Sequence, residues 1–346
     1  MTDPSFTIRD ALERLVNGND LAEAEAAAIM EQLMTGEATP AQFGAFVMGL
    51  RIKGETVDEI AGMAKVMREK SLRIDVEGPV LDTCGTGGDA SGSFNVSTCA
   101  AFVAAGAGAR VAKHGNRAMT SQCGSADVLE ALGARIDLGP AQVAACIERA
   151  GIGFMFAQGF HPAMKHVGPA RREIGIRTVF NLLGPLTNPA GAHCQVLGVA
   201  RRELVEKLAE VLARLGSYRA LVVHGDDGFD ELSITGPSTV AELAEGAVRT
   251  FRVAPEDVGL ERHDIGYLRG GTPEQNATEM RLVLEGTPGP LRDFTLINAG
   301  AALVAWGGAP DLTWGVTMAA KSIDSGAALA KLDAFVRATN ELAAPA

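Results

Sequence analysis

A chain of 346 residues with a formal net charge of −11 can bury a large core, and its acidity argues against the basic face that nucleic-acid binding needs. The five cysteines (Cys84, Cys99, Cys123, Cys146 and Cys194) form no C-x-x-C pair and no metal-ligand spacing, so reduced thiols in the cytoplasm are expected rather than a disulfide scaffold or a zinc site. The apolar runs are short and broken by Gly or charge, and Met1-Thr2-Asp3-Pro4 has neither a basic nor an apolar leader pattern, which argues against a membrane span and against secretion.

Residues 1–72 read as four helices. Thr7 opens the first and Asn17-Gly18 closes it; the second covers 21–34 and stops near Gly36. Thr39-Pro40-Ala41-Gln42 combines an N-cap, a proline at the first helical position and a glutamine at the third, and Thr56-Val57-Asp58-Glu59 is a further capping box. The apolar faces carrying Phe43, Phe46, Val47, Leu50, Met63, Val66 and Met67 need a cover, either within the domain or shared with a second subunit.

From Pro79 onward strands and helices alternate, which predicts a mostly parallel sheet covered by helices. Strands are expected at 80–81, 110–112, 134–136, 152–156, 195–199 and 220–224. Helices are expected at 125–132 with Ser125 as N-cap, at 140–150 and near 204–215. Region 232–295 reads as strand-rich, and 298–305 and 315–342 as helical. The expected architecture is α/β: a helical domain over 1–72, joined by helices near 163–180, and an α/β domain over 78–346.

The densest chemistry lies between Val80 and Ser125. An apolar strand runs into Gly85-Thr86-Gly87-Gly88-Asp89, and Asn95-Val96-Ser97-Thr98 opens the next helix. Glycines let backbone N–H groups approach a ligand, and a helix start offers more of them to an anion. Residues 90–126 contain no Asp or Glu but do contain Arg110, Lys113, His114 and Arg117, which suits a phosphorylated ligand. A dinucleotide site needs an acidic residue ~20 positions after its glycines, and a Walker A loop needs Gly-Lys-Ser/Thr; neither is present. Lys113-His114-Gly115-Asn116-Arg117 reads as the loop after the second strand, a phosphate contact or an exposed, salt-bridged turn.

Asp226, Asp227, Asp230 and Glu231 follow a strand end, where hard oxygen donors suit Mg²⁺ shared with substrate phosphates; a solvated acidic turn is the plain alternative. His161 and His166 lack zinc spacing. Arg171 is either a carboxylate clamp or a surface cation near Glu173.

Gly85-Thr86-Gly87-Gly88-Asp89, Asn95-Val96-Ser97-Thr98, Lys113-His114-Gly115-Asn116-Arg117, the 161–189 block and Asp230-Glu231 occur in an order and spacing that resemble the anthranilate phosphoribosyltransferases, over essentially the whole chain. The resemblance implies a nucleoside-phosphorylase-like fold, Mg²⁺, a homodimer through the helical domains, and transfer of phosphoribosyl from phosphoribosyl pyrophosphate to anthranilate, in tryptophan biosynthesis. It implies that Gly85, Gly88, Asp89, Ser93, Asn95, Val96, Ser97, Thr98, Lys113, His114, Gly115, Asn116, Arg117, Ala118, Met119, Thr120, Ser121 and Ser125 hold phosphoribosyl pyrophosphate. It further implies that Gly85, Asn116 and Arg171 touch anthranilate, that Ser97, Asp230 and Glu231 ligate Mg²⁺, and that Lys113, Arg117 and His114 serve catalysis. Two departures are small: Ser93 stands where the family usually has Thr, and Gln122-Cys123 replaces a common Lys-Ser pair.

The resemblance leaves two competitors. Pyrimidine nucleoside phosphorolysis on the same fold would use free phosphate and would not need Asp230-Glu231. A nucleic-acid-binding relative would show an added basic face and lack Arg171 or Asn116, and this sequence shows neither change.

Overall fold

The computed structural model describes residues 6–88, 92–118 and 122–343. Four helices come first: α1 (Ile8–Val16), α2 (Glu23–Thr35), α3 (Pro40–Lys53) and α4 (Val57–Glu69). Thr7, Thr39 and Thr56 each cap a helix with a hydroxyl that accepts from the third helical residue's N–H and donate their own N–H to that residue's side chain, so local sequence alone fixes three of the four starts. Glu59 does more than cap. Its fully buried carboxylate also accepts the Leu21 N–H and pairs with Lys53 Nζ at 3.0 Å, tying α3 and α4 to the turn before α2.

The remaining elements, in order, are β1 (Leu81–Gly85), α5 (Val96–Gly106), β2 (Val111–Gly115), α6 (Ser125–Ala131), α7 (Pro140–Ala150), β3 (Ile152–Phe156), α8 (Ala157–Phe160), α9 (Gly168–Ile174), α10 (Val179–Leu183), β4 (Cys194–Gly198), α11 (Leu204–Arg214), β5 (Arg219–Gly225), β6 (Ser238–Ala244), β7 (Ala247–Val253), α12 (Pro273–Leu284), α13 (Pro290–Trp306), α14 (Leu312–Asp324) and α15 (Ala327–Leu342). The described strands form one sheet in the order β3-β2-β1-β4-β5-β6-β7. The first five are parallel, and β6 and β7 extend the edge antiparallel. The chain moves outward from β1 through β2 to β3 and then returns to β1's other side with β4. This reversal places a switch point between β1 and β4, where open parallel sheets leave a crevice beyond the strand ends.

Each sheet face has its own core. One packs against α5, α13, α14 and α15, with Phe94, Phe102, Phe294 and Phe335 almost fully buried. The other is continuous with the helical bundle: Phe43, Phe46, Val47, Leu50, Met63, Val66 and Met67 share a cluster with Phe180 of α10, Leu208 of α11 and Val222 of β5. The bundle's apolar faces are therefore covered within the chain, by α9, α10 and α11, instead of waiting for a second subunit.

The sequence expectations fail in four places. Residues 134–136 are not a strand: Ala134 and Ile136 are buried in the core, and the Ala134 and Arg135 N–H groups donate to the Leu129 carbonyl and the Thr339 hydroxyl instead of a neighbouring strand. Region 232–295 holds only β6 and β7 as strands and then α12 and the start of α13, whose apolar helical spacing was hidden by flanking glycines. Gly124, rather than Ser125, is the cap position of α6, and Ser125 donates to the Asn116 carbonyl. Lys113, His114 and Gly115 form the end of β2, not a loop; Lys113 and His114 are buried.

Candidate active site

The crevice is built on two facing glycines. Gly85 ends β1, Gly198 ends β4, and the parallel register pairs them. The loop after β5 crosses over both: a Cβ on Gly85 would meet the Asp230 carboxylate, and one on Gly198 would overlap the Asp230 carbonyl. Only residues without a Cβ allow so close a crossing. Asp230 Oδ2 then accepts the Gly87 N–H at 2.7 Å, which couples the acidic loop to the glycine turn. Gly87 and Gly88 both take left-handed φ values, +62° and +75°, and Arg177 lies where a Gly88 side chain would stand, donating to the Thr86 carbonyl at 3.0 Å.

The acidic loop is held from behind. Asp227 accepts the hydroxyls of Ser233 and Thr235, while Asn298 of α13 accepts from the Leu232 N–H and donates to its carbonyl. Asp230 is buried and Glu231 half-buried, so both are presented by a braced turn rather than a solvated one.

Between β1 and β2 side chains take over from the ladder. Beyond the Leu81–Val111 pair, the Asp82 carboxylate accepts the His114 N–H at 3.1 Å and the Asn188 amide at 2.8 Å. Lys113 Nζ donates to the Thr83 carbonyl and lies 3.4 Å from Ser97 Oγ. Burial raises the Asp82 pKa and lowers that of Lys113; each is countered by attraction to the other, and Glu231 also acts on Lys113. Ser97, Lys113 and the acidic loop thus meet at the same strand ends.

The other expected residues fall into distinct places. Val96 and Thr98 are buried on the inner side of α5, leaving half-buried Ser97 as the side chain offered at that helix start. The Asn95 amide donates to the Cys123 carbonyl and accepts from Asn276 of α12, and Ser93 bridges to Arg269. At the tip of β2, Asn116 is exposed and accepts the Arg117 N–H. Arg117 turns onto α6, pairing with Asp127 at 3.0 Å and with Glu130, which raise its pKa, and it lies over the Phe156 ring. Ala118 donates to Asp127, fixing the same turn. Arg110 pairs with Glu148 at the opposite end of β2. The cations of the acid-free window are therefore partly neutralised by carboxylates from outside it. Asp89, Met119, Thr120 and Ser121 lie outside the described residues.

Arg171 sits on α9, half-buried, with its guanidinium 6.0 Å from the Phe180 ring centre; burial, then the Arg177 charge, lowers its pKa. Among the described residues it makes no ion pair with Glu173. Its neighbour Arg177 reaches the glycine turn, so the helical side of the molecule touches that turn through this arginine pair. Sequence reasoning missed Asp82, Arg177, Asn188 and His161's partnership with His114. A lone aspartate inside the apolar strand run at Leu81 was the one signal available for Asp82.

The donor set suits Mg²⁺. Asp230, Glu231 and the Ser97 hydroxyl are hard oxygen groups, and among the described residues no cluster of three or more His, Cys, Asp or Glu side chains is arranged as a full protein cage. Mg²⁺ typically takes one or two carboxylates and leaves its other positions to water and phosphate.

Comparison with known proteins agrees with this geometry. Residues 9–71 match the helical bundle domain of a glycosyl transferase family, and residues 77–329 match the a/b domain of the glycosyl transferase family. The chain is 60% identical to an anthranilate phosphoribosyltransferase of Chloroflexus aggregans, over 96% of this chain and 98% of that one. The crystal structure of anthranilate phosphoribosyltransferase from Thermus thermophilus superposes with a TM-score of 0.91 at 47% identity, covering 96% and 99% of the two chains. The Saccharomyces cerevisiae enzyme in complex with phosphoribosyl pyrophosphate and Mg superposes at 0.88 with 29% identity, covering 97% and 99%. With both domains matched and relatives at up to 60% identity along nearly its full length, the chain belongs to the anthranilate phosphoribosyltransferase family.

Proposed function

We propose that this protein transfers the 5-phosphoribosyl group of phosphoribosyl pyrophosphate to the amine of anthranilate, releasing N-(5-phosphoribosyl)anthranilate and pyrophosphate. The observation that carries the reading is the meeting of the glycine turn, Ser97, Lys113 and the Asp230-Glu231 loop at the β1–β4 switch point. Phosphorolysis would leave that braced acidic loop without a task.

In this reading backbone N–H groups of the glycine turn and the start of α5 hold the diphosphate, where the helix dipole favours negative charge. Asp230, Glu231 and Ser97 hold Mg²⁺, which when bound supplies positive charge to the departing pyrophosphate. Lys113 supports the cradle from beneath and contributes a buried positive charge. Asn116 and Arg171 hold anthranilate, Arg171 through its carboxylate. Arg177 steadies the glycine turn. The new N–C bond forms as the bond to pyrophosphate breaks, through an oxocarbenium-like state. An aromatic amine is neutral at pH 7, so it attacks directly and its proton leaves afterwards to water or pyrophosphate. No general base is assigned, because His114, the obvious candidate by type, has its Nε2 engaged by His161 at 3.2 Å. Holding both substrates in line supplies much of the remaining rate.

We further propose that residues 1–72, joined by the helices near 163–180, form one domain and the rest of 78–346 the other, and that two copies pair through the helical bundle. Val16 and Ile52, exposed apolar side chains on or beside α1 and α3, support that pairing. The scattered, mostly buried cysteines support a cytoplasmic setting. The test is the loss of anthranilate fluorescence with purified protein, phosphoribosyl pyrophosphate and Mg²⁺, with and without EDTA. Decay requiring all components is expected; a folded protein that gives none overturns the assignment.

A further inference from the structure

Three segments carry the chain between the helical bundle and the α/β body: the stretch between α4 and β1, 157–167 on the way out from β3, and 183–190 on the way back to β4. The latter two meet at one buried side chain, His114 of β2. His161 of the outgoing segment places its Nε2 3.2 Å from His114 Nε2, with ring centres 5.0 Å apart. The Gly184 backbone of the returning segment lies beside the His114 ring and raises its pKa against the effect of burial. The first crossing, at Leu72 and Ile74, is tied to the same place, since Leu72 N–H donates to the Phe160 carbonyl and Ile74 N–H to that of Pro189.

Burial pushes the His114 pKa down to about 3 and that of His161 to about 4, so both rings are neutral near pH 7. Two neutral imidazoles in N···N contact need one donor and one acceptor. The Gly184 backbone favours a proton on the His114 ring; with that proton on Nδ1, His114 Nε2 is the acceptor and His161 Nε2–H the donor.

We propose that His161 is a positioning residue for the transfer: its Nε2–H clasps His114 Nε2 and thereby fixes the distance between the β2 tip, with Asn116, and α9, with Arg171. This rests on the function proposed above. The two sides of the anthranilate site come from opposite sides of the clasp. The diphosphate cradle itself is built from the sheet side, with Arg177 reaching its glycine turn from the helical side independently of the clasp. Loosening the clasp therefore weakens use of anthranilate and spares phosphoribosyl pyrophosphate.

The test compares wild type with His161→Phe and His161→Gln, the latter keeping a donor. In ¹⁵N-histidine-labelled wild-type protein, long-range ¹H–¹⁵N spectra are expected to show His114 as the Nδ1–H tautomer and His161 as Nε2–H, unchanged from pH 6 to 8. His161→Phe should raise the KM for anthranilate about tenfold, the loss of roughly one hydrogen bond. Its KM for phosphoribosyl pyrophosphate should stay within about twofold, and His161→Gln should restore most of the loss. An Nε2–H tautomer at His114 in wild type overturns the proposal, as does a folded His161→Phe protein with an unchanged anthranilate KM. If the Phe variant does not fold, the wild-type spectrum and the Gln variant decide the matter. Inactive wild-type protein would count against the proposed function instead, while the tautomer measurement would still stand.

Discussion

Gly198→Ala tests the crossing of the acidic loop directly. An ideal Cβ at Gly198 would lie 1.5 Å from the Asp230 carbonyl oxygen and 2.6 Å from its carbon. A carbon needs roughly 3.3 Å from such an oxygen, so loop and strand end must separate by about 2 Å. The obstruction is backbone, and no rotamer change relieves it. Overpacking of this kind costs about 1–3 kcal/mol, which a large, well-packed domain survives. Catalysis is less tolerant, since misplacement by about 1 Å can cost on the order of 100-fold. The Asp230 carboxylate would also leave the Gly87 N–H it now holds at 2.7 Å. The expected result is a folded protein whose kcat/KM falls at least about 100-fold and whose Mg²⁺ requirement rises, measured by anthranilate fluorescence across a Mg²⁺ titration with melting curves alongside. Gly236→Ala, in the same β5–β6 connection but with nothing within 4 Å of its Cβ, is the control and should be nearly silent. A Gly198→Ala enzyme with wild-type kcat/KM and Mg²⁺ dependence would refute the assignment of Asp230.

Arg171→Ala should raise the anthranilate KM by about 100-fold, as expected for loss of a charged hydrogen-bonding partner, with little change in binding of phosphoribosyl pyrophosphate by calorimetry; equal loss of both would contradict the carboxylate role. Asp230→Asn with Glu231→Gln should weaken Mg²⁺-dependent binding of phosphoribosyl pyrophosphate as well as turnover, and an unaltered Mg²⁺ titration would remove the metal assignment. Acid should destabilise the fold through its buried histidines. The pKa values of His114 and His161 are held down to about 3 and about 4 by burial, so the unfolded chain binds more protons below pH ~6.5. Their contribution is fully present above pH ~6.5 and is lost as pH falls toward 4, at up to about 1.4 kcal/mol per pH unit for each ring. Urea unfolding at pH 7 and 5 should show this loss, and it should shrink in the His161→Gln variant.

Local signals in the chain were enough for much of this protein. The capping boxes at Thr7, Thr39 and Thr56, the strand runs at Val80, Ile152, Gln195 and Ala220, and the shift from helices to alternation near Pro79 each depend on residues within one turn or one pleat of each other. The same holds for the glycine turn and the acidic pair, whose residue types restrict chemistry wherever they are placed. What the tertiary structure decided were the pairings between distant segments. Gly85 and Gly198 become a couple only when β4 returns beside β1, and only then is the small size of Gly198 explained by Asp230. Lys113 and His114 read as loop residues because polar side chains rarely end a buried strand; their partners Thr83, Asp82 and His161 arrive from 30, 32 and 47 residues away. The acid-free window suggested an open cationic patch, but Asp127, Glu130 and Glu148 fold onto Arg117 and Arg110 from beyond its edge. Charge along a sequence fixes composition, whereas the field at a site depends on which charges the fold brings within a few ångströms of one another.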